Sequence, residues 1–139
     1  MTDVNAYIFF NGKCAEAMRF YEKTLGGKLR MMTAGESPVA GQMGPGSPDR
    51  ILHARLDIDG GGILMASDWT APQPYPGMNG FRVSLTYPTV GDARRIFDAL
   101  AAGGSVQMPF EKTFWSDGFG MLTDRFGTPW MINTEGTHA

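Results

Sequence analysis

The sequence predicts an α+β fold: two paired β-α-β-β-β modules forming a curved, eight-stranded half-open cup with the helices outside. Three observations carry that prediction. The chain says much the same thing twice, each copy holds one stretch with helical spacing of apolar residues, and three strand-like stretches flank that helix in each copy. One module cannot close a core alone, whereas two side by side can.

The repeat is legible directly. VNAYIFFNGKCAEAMRFYEKTLGGKL near the start is answered by FRVSLTYPTVGDARRIFDALAAGGSV from residue 81. Each reads as strand, turn, amphipathic helix, then Gly-Gly. An offset of 77 residues takes Gly26-Gly27 to Gly103-Gly104, Phe20 to Phe97 and Asn5 to Arg82. Ala17, Phe20, Tyr21 and Leu25 recur at helical spacing in the first copy, and Ala93, Ile96, Phe97 and Leu100 do so in the second. The Gly-Gly pairs suit a helix C-terminus, because glycine tolerates positive φ. Strand material follows as KLRMMT, ILHARLDI and GILMAS, with Asp59-Gly60 at a hairpin turn. In the second copy it is SVQMPFEK, GFGMLTD and TPWMINT, with Arg125-Phe126-Gly127 at the turn. Residues 33–50, rich in Gly, Pro and Ser, read as a mobile loop, either functional or dispensable.

Composition sets the outer bounds. The 139 residues are 42% hydrophobic and 19% charged, as in an ordinary globular protein. They fit one domain, 1–139, built of modules at about 1–70 and 79–139. A net charge of −2 with no Lys/Arg cluster excludes a nucleic-acid surface. The lone cysteine, Cys14, excludes an internal disulfide framework and suits a reducing compartment. The N-terminus shows neither a signal peptide nor a membrane span, so a cytoplasmic protein without membrane contact is expected.

Alternation along strands sorts candidate cup residues. Val4, Ala6, Ile8 and Phe10 would face the helices, and Asn5, Tyr7 and Phe9 the cup. Phe81, Val83 and Leu85 would likewise face the helices, and Arg82, Ser84 and Thr86 the cup. In ILHARLDI, Leu52, Ala54, Leu56 and Ile58 oppose His53, Arg55 and Asp57, which point to the cup or to solvent.

The stretches FNGKCAEAMRFYEKTLGG, ILHARLDI and FWSDGFGMLTDRFGTPWMIN, within the paired modules, resemble the vicinal oxygen chelate superfamily. That superfamily includes glyoxalase I, extradiol dioxygenases and bleomycin resistance proteins, and the chain is more specifically similar to its PhnB-like branch. The resemblance spans essentially the whole chain and implies a homodimer with the cup as its site. Some members of the branch carry a demethylubiquinone methyltransferase label. Here Gly60-Gly61-Gly62 joins two strands, where a methyl-donor site would have a Gly-rich strand-loop-helix.

Metal-dependent relatives hold a divalent ion with His and Glu from the first and last strands of each module. Carried over, those positions fall on Asn5, Arg82, near Met65 and at Met131. Divalent catalysis needs imidazole or carboxylate ligands, and a guanidinium repels a cation. The expectation is therefore a cup without a catalytic metal or other cofactor, holding a small anionic or aromatic molecule.

Arg82 could fork onto a carboxylate or phosphate, or else form an ion pair with an acid such as Asp57. His53 is either a proton carrier or a hydrogen-bonded strand histidine. Tyr7, Phe9 and Trp115 could stack on a planar ligand, with Trp115 at the rim, while Trp130 reads as core. Met131 suits a soft wall. The ligand-binding set is thus Asn5, Tyr7, His53, Arg82, Ser84, Trp115 and Met131. Asp124 and Arg125 would shape the last hairpin. The alternative is a glyoxalase- or dioxygenase-type enzyme with a remodelled metal site, needing His53 to meet carboxylates such as Asp57 or Glu135. A metal-free enzyme using His53 or Tyr7 as acid or base would need the same polar cup.

Overall fold

The computed structural model describes residues 2–36 and 49–135. The centre of the expected 33–50 loop and His138, expected on a frayed terminus, lie outside the described residues. The chain divides into two compact units, Met1–Pro76 and Gly77–Ala139.

The first unit runs β1 (Ala6–Phe10), α1 (Cys14–Leu25), β2 (Gly27–Thr33), a short 3-10 turn (Ala34–Glu36), β3 (Ile51–Ile58) and β4 (Ile63–Asp68). The second runs β5 (Val83–Tyr87), α2 (Val90–Ala101), β6 (Ser105–Glu111), β7 (Phe119–Thr123) and β8 (Pro129–Thr134). Each unit is one mixed four-stranded sheet, ordered β1-β4-β3-β2 and β5-β8-β7-β6. In both, the first strand pairs in parallel with the last and the remaining pairings are antiparallel. The fold class is therefore α+β, with the β-α-β-β-β order repeated.

Each helix packs its apolar stripe on its own sheet. In α1 the buried residues are Cys14, Ala17, Met18, Tyr21 and Leu25; in α2 they are Ala93, Ile96, Phe97 and Leu100. The two N-termini are satisfied differently. Thr89 caps α2 by accepting the Asp92 N–H at 3.1 Å. For α1, Lys13 makes no side-chain cap, and Asp68 at the end of β4 accepts the Cys14 N–H at 3.0 Å. The other Asp68 oxygen takes the Ile51 N–H at 2.8 Å. One buried carboxylate thus ties a helix start, with its favourable dipole, to the start of β3.

Register makes the repeat quantitative. Phe10 pairs with Asp68 and Tyr87 with Thr134, so the strand ends correspond. The next residue closes each pair in the same way: Trp69 N–H donates to Phe10 O at 2.7 Å and Glu135 N–H to Tyr87 O at 2.8 Å. The second glycine of each Gly-Gly pair is fixed by a close approach. A Cβ on Gly27 would collide with Asp57 O, and one on Gly104 with Thr123 O.

Strand alternation fails at three places. Val4 and Phe81, expected against the helices, are exposed, because β1 and β5 start only at Ala6 and Val83. In β3, Thr33 pairs with Ile51 and Met32 with His53, leaving Leu52 bulged. Ile51 therefore joins the core, and Leu52 is only half-buried. No helix among the described residues is long and apolar enough to cross a membrane.

Candidate functional site

The second unit holds a concave pocket of about 520 Å³. Its apolar wall is Met78, Phe81, Pro129 and Met131, and its polar side is Asn79, Arg82 and Thr123. Two elements create it. The first residues of β8 and the last of β7 form the floor. The segment before β5, with positive φ at Gly77 and Gly80, bends residues 78–82 over that floor. This bend is why Phe81 and Arg82 line the same pocket, where strict alternation would separate them.

Arg82 is half-buried, and its guanidinium is held at one corner. Its Nη1 donates to Leu122 O at 3.0 Å, to Trp130 O at 3.3 Å and to Gln107 Oε1 at 3.4 Å. All three acceptors are uncharged. Within the first unit, Asp57 is bound by Arg55 at 3.0 Å and Arg30 at 3.5 Å. The Arg55 hydrogen bond, helped by Arg30, holds the Asp57 carboxyl below its ordinary range. A guanidinium carries five N–H donors. With Nη1 committed, the Nε–Nη2 edge of Arg82 has no protein partner among the described residues.

The neighbouring polar groups satisfy one another. Thr123 Oγ1 donates to Gln107 Oε1 at 3.0 Å, and Gln107 Nε2 donates to Ser105 Oγ at 3.0 Å. Beneath them the last hairpin is locked by Asp124. Its Oδ1 accepts the N–H of Phe126 at 2.8 Å and of Thr128 at 3.1 Å, and its Oδ2 accepts the Trp130 indole N–H at 2.8 Å. Asp124 therefore does shape the turn, while Arg125 reaches back to Ala102 O at 3.2 Å. Trp130 is fully buried, as its reading as core requires.

The first unit carries a second candidate surface on the sheet face away from α1. Tyr7 OH lies 3.2 Å from His53 Nδ1, and their rings are 5.8 Å apart. The line of rings continues from Tyr7 to Phe9 at 5.3 Å, Trp69 at 5.5 Å and Tyr75 at a further 6.2 Å. Tyr75 OH donates to Phe9 O and the Trp69 indole to Gln73 O, both at 2.7 Å. His53 is exposed, and Tyr7 is its only recorded hydrogen-bond partner among the described residues.

The expected set is thus divided. Arg82 and Met131 share the pocket, and Tyr7 and His53 form a pair. Asn5 is exposed ahead of β1, and Ser84 is exposed on β5, opposite Met131 in register. Trp115 lies on the loop before β7, on a turn whose N–H groups bond Thr113 Oγ1, and packs edge-on against Phe119 at 5.3 Å. The sequence reading missed Phe81, Thr123 and Gln107 around Arg82, and Trp69 and Tyr75 in the ring line. The last two had a readable signal: aromatics in the Pro-rich segment after β4.

The positions carried over for metal ligands, Asn5, Arg82, Met65 and Met131, offer an amide, a cation and two thioethers. That donor set does not fit a hard divalent ion. Among the described residues, no group of three or more His, Cys, Asp or Glu could hold a metal. Cys14 is also unsuited to chemistry. Burial first, and the nearby Asp68 second, push its thiol up to about 12.

Paired β-α-β-β-β units with parallel first-to-last strand pairing define a glyoxalase-type domain. The chain belongs to the Glyoxalase/Bleomycin resistance protein/Dioxygenase superfamily, whose family model matches residues 4–132. It is 37% identical to Protein YjdN of Escherichia coli (strain K12), over 94% of this chain and 93% of that protein. It superposes on the crystal structure of PA1353 from Pseudomonas aeruginosa with a TM-score of 0.89 and 46% identity, covering 97% and 98% of the two chains. A PhnB protein from Bacillus cereus shares the fold at a TM-score of 0.74 and 22% identity, covering 96% and 99%.

Proposed function

We propose that this chain is a small-molecule binding protein that anchors an anionic ligand on Arg82 and uses no catalytic metal. The observation that carries the reading is the guanidinium itself. It is fixed at Nη1 by main-chain carbonyls, lines a 520 Å³ pocket, and keeps a two-donor edge without a protein partner among the described residues. A pre-positioned fork loses little side-chain entropy when it binds an oxyanion. The missing His and Glu ligands support the metal-free part. Among the described residues the Tyr7–His53 pair has no carboxylate bonded to it, which favours binding over catalysis. A cytoplasmic homodimer completes the reading; it rests on the lone, buried cysteine and on the family likeness.

The test is a screen of small organic anions by ligand-observed NMR, on wild type and Arg82→Ala. Anions that bind should weaken by about 10- to 100-fold in the variant, the worth of a charge-assisted hydrogen-bonded pair. Equal binding of every hit to both proteins would sink the anion assignment.

A further inference from the structure

We infer that the ligand of the Arg82 pocket is a monocarboxylate with a flat apolar body, and that phosphates and phosphonates are disfavoured. The inference rests on the reading of Arg82 as an anion anchor and adds the chemical class of the anion.

Three features lead there. Arg82 is the one cation in the pocket lining among the described residues, so a single negative charge is matched and a second is not. A dianion would leave an unmatched charge in a partly desolvated site. The chain's net charge of −2 offers no long-range compensation.

The donors present also match two oxygens better than three or four. The free Nε–Nη2 edge of Arg82 is planar and meets a carboxylate in a bidentate fork. The one lining hydroxyl among the described residues, that of Thr123, already donates to Gln107 Oε1, so its proton is spent. Of a tetrahedral phosphoryl group's oxygens the fork takes two, and among the described residues only the Asn79 amide is left in the lining as a side-chain donor for the rest.

The rest of the wall selects the body of the ligand. Phe81, Pro129 and Met131 contribute an aromatic ring, a pyrrolidine and a thioether to the lining that Arg82 shares. Phe81 is 46% exposed, which leaves ring surface for a ligand to cover. Flat aryl or short branched apolar groups gain the most from such a wall, because thioethers conform to ring edges.

The experiment is an isothermal or NMR titration with three probes of similar size: phenylacetate, phenyl phosphate and phenylacetamide. It is run on wild type, Arg82→Lys and Arg82→Gln, with circular dichroism confirming that each variant is folded. Phenylacetate should bind wild type at least about tenfold more tightly than either other probe. Arg82→Lys, which keeps the charge and loses the fork, should weaken it by about tenfold, and Arg82→Gln by more. If phenyl phosphate binds as well as phenylacetate and depends equally on Arg82, the carboxylate class is wrong while the anion anchor stands. If phenylacetate fails to bind at millimolar concentration, the carboxylate class is likewise overturned. If probes bind with no dependence on Arg82, the anchor itself falls.

Discussion

At the scale of single residues, two buried groups have opposite duties. Asp124 is a buried carboxylate that holds two backbone N–H groups and an indole N–H, fixing the β7–β8 hairpin that forms the pocket floor. Asp124→Ala removes the shared acceptor of these three donors, so a loss of about 2–4 kcal/mol is expected in urea unfolding. Trp130→Phe removes the indole donor and also leaves a cavity at a fully buried position, so it too should destabilise. Cys14 illustrates the reverse case, a titratable group kept neutral. Its folded value is raised from 9.0 to about 12, so the folded state holds its proton longer than the unfolded chain. Stability tied to this thiol is complete below about pH 9 and lost as pH rises toward 12. Native protein should accordingly resist iodoacetamide at pH 8 and react fully only in denaturant; rapid native alkylation would contradict the burial.

At the scale of elements, the glycines separate two physical causes. Gly104 has an ordinary φ, and its cost on substitution is collision with Thr123 O across the β6–β7 pair. Gly60 has φ of 86° with open space around it, so its cost is purely conformational. Gly104→Ala should therefore destabilise by about 2 kcal/mol or more and Gly60→Ala by about 1 kcal/mol, measured by thermal unfolding. Sequence pattern reached these elements well. Helical spacing located the α2 stripe and most of the α1 stripe, where Phe20 is only half-buried and Cys14 and Met18 join the core, and the offset repeat marked both Gly-Gly junctions. It did less well where strands begin or slip. Val4 and Phe81 obey the alternation on paper, yet lie outside their strands. Leu52 obeys it too, until the β2–β3 bulge moves Ile51 inward. Alternation is a property of paired backbone, and neither strand ends nor bulges are written in hydropathy.

At the scale of the whole molecule, the proposal predicts substoichiometric metal. Elemental analysis after dialysis against Zn²⁺, Ni²⁺, Mn²⁺ and Fe²⁺ should find no tight equivalent per chain. One bound equivalent would revive the remodelled-site enzyme. Light scattering should return twice the 15.1 kDa chain mass if the homodimer forms. The sequence by itself determined the class of fold and the two modules. These depend on residue type and period, which local chemistry fixes. Only the tertiary structure decided that Arg82 is held by the carbonyls of Leu122 and Trp130. It alone gathered Phe81, Thr123 and Met131 around that guanidinium. Such neighbours come from three separate stretches of chain, and their meeting depends on sheet register and on one glycine-bent segment, which no single stretch encodes.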